Sequence, residues 1–263
     1  LPPEEAGLAV GMLLGGTQDM TSSQIAAYRQ AGLSHIVAAS GYNVTLVAAW
    51  VAWLVSKLFG RKLAIPIIVV TIIGYAIMAG ATAAVVRAAV MAVITSVGLI
   101  FGRESDIRWV LLVSVLLMLL FNPNYVSDIG FQLSVAATAG LVFFNPRNVW
   151  WTTIAAQIST MPIILHYFGN LSLVAPLSNI LVLWTVPPIM QISAVAAATG
   201  GWLAYLAWPL LKWCNLSTYY FSSLSFSSLT LKPLSWGWVI GYYLVLYLVY
   251  KLKFETKSQF TPA

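Results

Sequence analysis

Few side chains in this 263-residue sequence could do chemistry, and those that could are set among apolar neighbours. Arg87 lies within GATAAVVRAAVMAVITSVGLI, far from either end of the stretch. An arginine at the centre of a membrane helix costs about 2.5–3.5 kcal/mol on insertion scales. It must therefore face protein, water or an opposite charge. Its helical neighbours Ala83, Ala84 and Met91 leave room at its base. Two readings follow: a structural arginine paired with Asp128 or a carbonyl, or a cation facing an anionic path. Asp128 and Gln132 are four apart in SDIGFQLSVAATAG and share a helix face, which Ala136, Ala139 and Gly140 continue with residues small enough for close packing. Asp128 reads as a helix cap or a path entrance, and Gln132 as an interhelical bond or a polar wall. His35, Ala39 and Asn43 repeat every four residues at the head of a span, beside Ser34 and Ser40-Gly41. A Ser-Gly pair can kink or unwind a helix where the backbone lines a cavity. Gln157, His166, Asn179 and Gln191 read as hydrogen-bonding links between helices.

Catalytic constellations are missing. The sequence holds no G-x-S-x-G, H-E-x-x-H or P-loop pattern. Ser40 and His35, as nucleophile and base on one helix, would point roughly 140° apart. The two histidines are far apart and Cys214 is the one cysteine, so neither a cysteine-based metal site nor an intrachain disulfide can form. The expectation is a protein that is not an enzyme, with no metal and no cofactor.

The elements that must position these residues follow from composition. Sixty per cent of the residues are apolar and 8% charged, against about 25% charged in soluble domains. Lipid is the solvent that suits such a chain, and its length allows roughly ten spans. The expected fold is an all-α polytopic membrane protein of about nine transmembrane or re-entrant helices, preceded by N-terminal interfacial amphipathic helices. Residues 1–34 form those helices, 35–252 the transmembrane domain and 253–263 a cytoplasmic tail or linker. Within 1–34, Thr21-Ser22-Ser23-Gln24 reads as a cap before a helix with Ile25 and Tyr28 on one side and Gln24 and Arg29 near the other. Predicted spans are His35–Phe59, Leu63–Gly80, Thr82–Phe101, Ile107–Phe121, Ser127–Phe144 and Trp150–Phe168. Then come Leu171–Trp184, interrupted by Pro187-Pro188, Ile189–Leu206 and Trp236–Tyr250. The Ser-rich run NLSTYYFSSLSFSSLTLKP reads as a surface segment. A start at Leu1 with no signal-peptide pattern reads as a piece of something longer.

Net charge is +6. Lys57, Arg61 and Lys62, then Arg103 and Arg108, then Arg147, then Lys251, Lys253 and Lys257 fall on one side under simple alternation. That side is cytoplasmic by the positive-inside rule, which puts the N-terminus outside and the C-terminus inside. Lys212 and Lys232 fall on the other side.

Four segments resemble a known family. AGLSHIVAASGYNVTLVA (Ala31–Ala48), AVVRAAVMAVI (Ala84–Ile94), NPNYVSDIGFQLSVAATAGLVFF (Asn122–Phe144) and APLSNILVLWTVPP (Ala175–Pro188) are similar, in order and spacing, to the competence domain of ComEC-type DNA-uptake channels. The resemblance implies a channel in the bacterial cytoplasmic membrane that passes one strand of DNA inward during natural transformation. It also implies flanking OB-like and nuclease domains in longer relatives, with any nuclease activity there. The family pattern carries His where this chain has Asn43, so hydrogen bonding is kept there without a titrating ring.

A path for single-stranded DNA needs scattered cations and polar donors, with apolar or aromatic surface for bases. The expectation is that Arg87 touches phosphates, that Gln132, Asn43, His35 and Ser40 line the path, and that Asp128 positions Arg87 or the entrance. Gly41, Asn179, Pro187 and Pro188 shape the backbone. Expected partners are single-stranded DNA, lipid, other competence proteins including a separate ATP-driven motor and a DNA receptor, and further copies of the chain. The alternatives are a secondary transporter of a small anion, using Arg87 and a helix broken at Pro187-Pro188, and a non-conducting scaffold of the uptake machinery.

Overall fold

A computed structural model describes residues 1–38, 40–59, 61–100, 105–146 and 148–258. Ala39, Arg103, Arg147 and the end of the tail lie outside the described residues. Within them the chain is helical apart from loops and one small two-stranded sheet. Three short helices come first: α1 (Pro3–Leu14), α2 (Ser22–Gln30) and α3 (Ser34–Val37). Six long ones follow: α4 (Gly41–Phe59), α5 (Arg61–Met78), α6 (Ala83–Ile100), α7 (Ile107–Phe121), α8 (Ile129–Phe144) and α9 (Val149–Phe168). Strand β1 (Asn170–Ser172) leads into α10 (Ala175–Val182) and α11 (Val186–Ala198). Helix α12 (Trp208–Ser222), strand β2 (Ser228–Thr230) and α13 (Trp236–Ser258) complete the order. The domain boundary expected after residue 34 falls inside α3, and α13 runs through the one expected at 253.

The helices begin where capping chemistry allows. Thr21 accepts the Gln24 backbone N–H at 3.2 Å, as its sequence predicts. Asp128 accepts the Phe131 N–H at 2.6 Å and Asn148 the Trp151 N–H at 3.0 Å. Asn145 and Gly169 close α8 and α9 in the left-handed conformation.

Three apolar clusters hold the bundle. One joins α1, α2 and α3 to α10, α11 and α12 through Leu8, Met12, Tyr28, Ile189 and Leu211. A second packs α4, α5 and α6 around Val44, Ile72 and Val85. A third seats Ala83, Met118 and Phe131 between α6, α7 and α8. Helix α8 lies directly on α9, and α13 lies on α9, where Tyr242 and Tyr243 donate to the carbonyls of Ile158 and Ser159. β1 and β2 pair antiparallel, with Leu171 opposite Leu229.

Several expectations change. The N-terminal helices pack on the rest of the bundle: Leu8, Met12, Gln24 and Tyr28 are fully or almost fully buried. Gln24 shares the inner face with Tyr28, because both reach Asn215 on α12 (3.0 and 3.1 Å). Burial pushes the Tyr28 phenol well above its ordinary pKa, so it stays a donor there. The predicted first span is two helices, since Ala38 is extended and ends α3 before α4 begins. The predicted seventh and eighth spans merge. Pro187 and Pro188 occupy the first turn of α11, where a missing N–H costs nothing, and a 3₁₀ turn at Leu183–Thr185 carries the helix across from α10. Leu171, expected at a span start, is in β1. Half of the expected surface run is helical, in α12, with Asn215 and Thr218 buried.

The count of nine spans is not reproduced. Among the described residues one helical run, Ala175–Ala198, is long and apolar enough to cross a membrane; six others are apolar but shorter. The outward faces are nonetheless apolar. Val70, Ile73 and Ile77 form such a stripe on α5, and Trp109, Leu112, Leu116 and Leu120 form another on α7.

The tightest joint is α8 against α9. A Cβ added to Gly140 would fall 1.9 Å from Ser159 Oγ and 2.5 Å from its Cβ. Gly140→Val should therefore lower the thermal unfolding midpoint in detergent by an amount reflecting roughly 1–3 kcal/mol or more of overpacking. Gly74→Ala, where a Cβ meets nothing within 4 Å, should leave the midpoint unchanged or raise it slightly.

Candidate functional site

Arg87 stands on the first turns of α6, 6% exposed. The small residues around it let three elements close on its guanidinium. Nε donates to Ser134 Oγ on α8 at 2.9 Å, and Nη1 lies 2.9 Å from Met91 Sδ, one turn along α6. Nη2 faces the start of α4: a Cβ on Gly41 would lie 3.5 Å from it and 3.0 Å from Ala88 Cβ. A Cβ there would press on Ala88 while only touching the guanidinium, so Gly41 serves the close approach of α4 to α6. A guanidinium has five N–H donors; the described bonds use two, and neither partner carries charge. Among the described residues no carboxylate bonds it.

The structure separates this site from Asp128. That carboxylate caps α8 and is exposed, so the expected Arg87–Asp128 pairing is replaced by the neutral Ser134. The reason is position: Asp128 caps the start of α8 through the Phe131 N–H, while Ser134, which meets Arg87, lies six residues further along the helix, about 9 Å of rise.

The Ser40-Gly41 pair sits at a real helix break. The Ser40 carbonyl accepts the N–H groups of Asn43 (3.1 Å) and Val44 (3.4 Å), so Ser40 stands in the N-cap position of α4. Its hydroxyl donates to Asn43 Oδ1 at 3.0 Å. Asn43 Nδ2 donates to the Met12 carbonyl at 2.9 Å, and Asn43 is 1% exposed. Tyr75 on α5 donates to the next carbonyl, Leu13, at 2.7 Å. Met12 and Leu13 are at the end of α1, where carbonyls have no helical partner. The expected four-residue repeat of His35 and Asn43 is lost because His35 belongs to α3 and Asn43 to α4; Ala39 lies outside the described residues.

Gln132 faces away from Arg87. It is two residues from Ser134, about 200° around α8. Its Nε2 donates to the Val126 carbonyl (2.7 Å) and to Tyr167 Oη on α9 (3.1 Å). Of the predicted site residues, then, the structure brings Arg87 to Gly41 and Ser40 to Asn43, and it sends Gln132 and Asp128 elsewhere. Asn179 is buried on α10 with its Oδ1 unpartnered, and Pro187 and Pro188 shape the start of α11 without breaking the run. Sequence reasoning missed Ser134, Tyr75 and Tyr167. Ser134 stands in the GFQLS segment but carries no spacing signal toward Arg87, because their contact crosses helices.

The chain matches the family described as "Competence protein" over residues 12–255. It is 25% identical to ComE operon protein 3 of Bacillus subtilis (strain 168) over 191 residues, covering 69% of this chain and 25% of that protein. It is 27% identical to Competence protein ComA of Neisseria gonorrhoeae over 215 residues, 71% of this chain and 31% of that one. The chain thus spans about a quarter to a third of the length of these curated relatives. No solved structure matches it.

The Asn43 bridge makes a stability prediction. Asn43→Leu strands the Met12 carbonyl and the Ser40 hydroxyl, and should cost about 1–3 kcal/mol, read as a lower unfolding midpoint and faster proteolysis near residues 15–20. Asn43→His, the residue the family pattern carries, should retain more of that stability than Asn43→Leu.

Proposed function

This chain belongs to the competence protein family, and from that premise we propose that it is the conducting module through which single-stranded DNA enters the cell during natural transformation. The observation that carries the reading is Arg87: a buried guanidinium whose described bonds go to a neutral hydroxyl and a thioether, with Nη2 packed toward Gly41. A carboxylate there would quench the charge. With none among the described residues, the site offers a positive potential to a passing phosphate and holds it by few bonds, so the phosphate can leave again. Ser134 fixes the direction of the guanidinium.

The same reading places the chain in the cytoplasmic membrane as a multi-pass protein, N-terminus outside and C-terminus inside. The apolar stripes on α5 and α7 support it, since in water they would be aggregation surfaces. Helices of 15–20 residues span such a layer where it thins or where they are flanked by interfacial aromatics; Trp109, Trp150 and Trp151 are exposed near helix ends. Under this reading the chain conducts and does not catalyse. Any nuclease, ATP-driven motor and DNA receptor are separate domains or proteins, and copies of the chain associate. Transport of a small anion is the competing reading. Its proposed broken helix at Pro187-Pro188 is a continuous run here, which removes one of its two supports.

Uptake of labelled DNA by cells expressing the variant at matched membrane level tests the proposal. Arg87→Ala should lower uptake about tenfold or more, the scale of a hydrogen bond to a charged group, and Arg87→Lys should restore part of it. Unchanged uptake in Arg87→Ala would sink the phosphate contact. In proteoliposomes, small-anion flux that ignores added DNA would favour the transporter.

A further inference from the structure

On the other side of α8 from Arg87 runs a groove of about 590 Å³, between α8, α9 and α13. That is within the range of small-molecule sites, about 300–1,000 Å³. Its back is recessed because α8 contributes Ala136, Ala139 and Gly140 there, while α13 contributes Trp236 and Tyr243. Gln132 lines one end. The Val126 carbonyl accepts from Nε2, which settles which end of the amide is which. Oε1 is left buried with no partner. An unsatisfied acceptor of this kind is unfavourable; it is closed to the groove as it stands, and a turn of the half-buried side chain brings it to a donor there.

The same end of the groove carries rings. Trp236 packs on His166 with centroids 4.3 Å apart, and both meet Tyr167, at 6.0 and 4.7 Å. His166 is itself tied through Nδ1 to the Leu234 carbonyl. Trp236 is therefore braced, yet it is 47% exposed and lines the groove. A tryptophan anchoring a span in lipid needs neither a histidine beneath it nor an unpartnered amide oxygen beside it.

We infer that this end of the groove is a nucleobase site, with Trp236 as the stacking surface and Gln132 Oε1 as acceptor for a base N–H. A base is planar, has a π-face and carries edge donors, so it matches ring, recess and lone acceptor together. A lipid tail matches only the recess. The inference rests on the DNA-passage reading and adds to it where bases, as opposed to phosphates, are held. The interaction is tolerant of sequence, because every base has a face and stacking supplies most of the affinity.

The test uses the full chain in lipid nanodiscs and two probes of equal length and charge: oligothymidylate and the corresponding abasic oligomer. Oligothymidylate should bind about tenfold more tightly, the scale of stacking one base. That ratio should fall to near one in Trp236→Leu, fall partway in Gln132→Leu and persist in Trp236→Phe, which keeps a ring and guards against simple misfolding. A thymidylate oligomer carrying 5-iodouracil should photocrosslink at Trp236. Arg87→Ala should weaken both oligomers alike and leave the ratio intact; if it weakens neither, the phosphate contact fails while the base site stands. Equal binding of the two oligomers to the unaltered chain, a ratio that survives Trp236→Leu, or a co-purifying phospholipid in the groove that oligothymidylate does not displace would each overturn the proposal.

Discussion

A guanidinium in the interior of an apolar bundle has few ways to exist, and the first half of this chain is arranged around one. Arg87 needs donors satisfied without surrendering its charge. A carboxylate would satisfy it best and cancel it. Here Ser134 and Met91 take its near side, and a glycine at the start of α4 lies against its far side. The guanidinium thus packs against the break where α4 begins, and anything that secures the break secures its surroundings.

What secures it is the end of α1. A broken helix in an apolar setting leaves N–H groups and carbonyls that must find partners. The Ser40 carbonyl takes the first amides of α4, and Asn43 joins the Ser40 hydroxyl to the Met12 carbonyl. Tyr75 takes Leu13 from α5. Two helix ends, α1 finishing and α4 starting, therefore satisfy each other. Helix α1 in turn is buried against α11 and α12 through Leu8 and Met12. The N-terminal helix is a brace between the α4–α6 cluster and the α10–α12 cluster.

Much of this was legible in the residues, for identifiable reasons. Helix α7 begins and ends where Ile107 and Phe121 were expected, because Asp106 caps it and Asn122-Pro123 ends it. The Thr21 cap and the break at Ser40-Gly41 were readable because both are local backbone chemistry. The misreadings have other causes. Pro187-Pro188 signals a breaker in isolation, but two prolines in a helix's first turn continue a run that began before them. Helix geometry alone put Gln24 near the side away from Tyr28; its role needed Asn215, 191 residues away. A pairing of Arg87 with Asp128 was one of two readings of that arginine, and Asp128 instead caps its own helix. For Gln24 and Arg87 the deciding partners, Asn215 and Ser134, lay across the bundle, where spacing carries no information.

The two polar features of α8 bear on how a strand could pass. Ser134, holding Arg87, and Gln132, facing the groove, are about 200° apart on one helix, and a helix with its side chains is about 10–12 Å across. They cannot line the same side of a narrow straight lumen. A strand that met both would do so with different nucleotides, its charge read on the α4–α6 side of α8 and its bases on the α9–α13 side. Only α8 belongs to both surfaces, and it is the helix clamped to α9 by Gly140 against Ser159. A small rotation of α8 would turn Ser134 away from Arg87 and Gln132 away from Tyr167 together. Close packing at Gly140 resists that rotation, so the joint that looks merely structural is what keeps the charged site and the groove in one fixed relation.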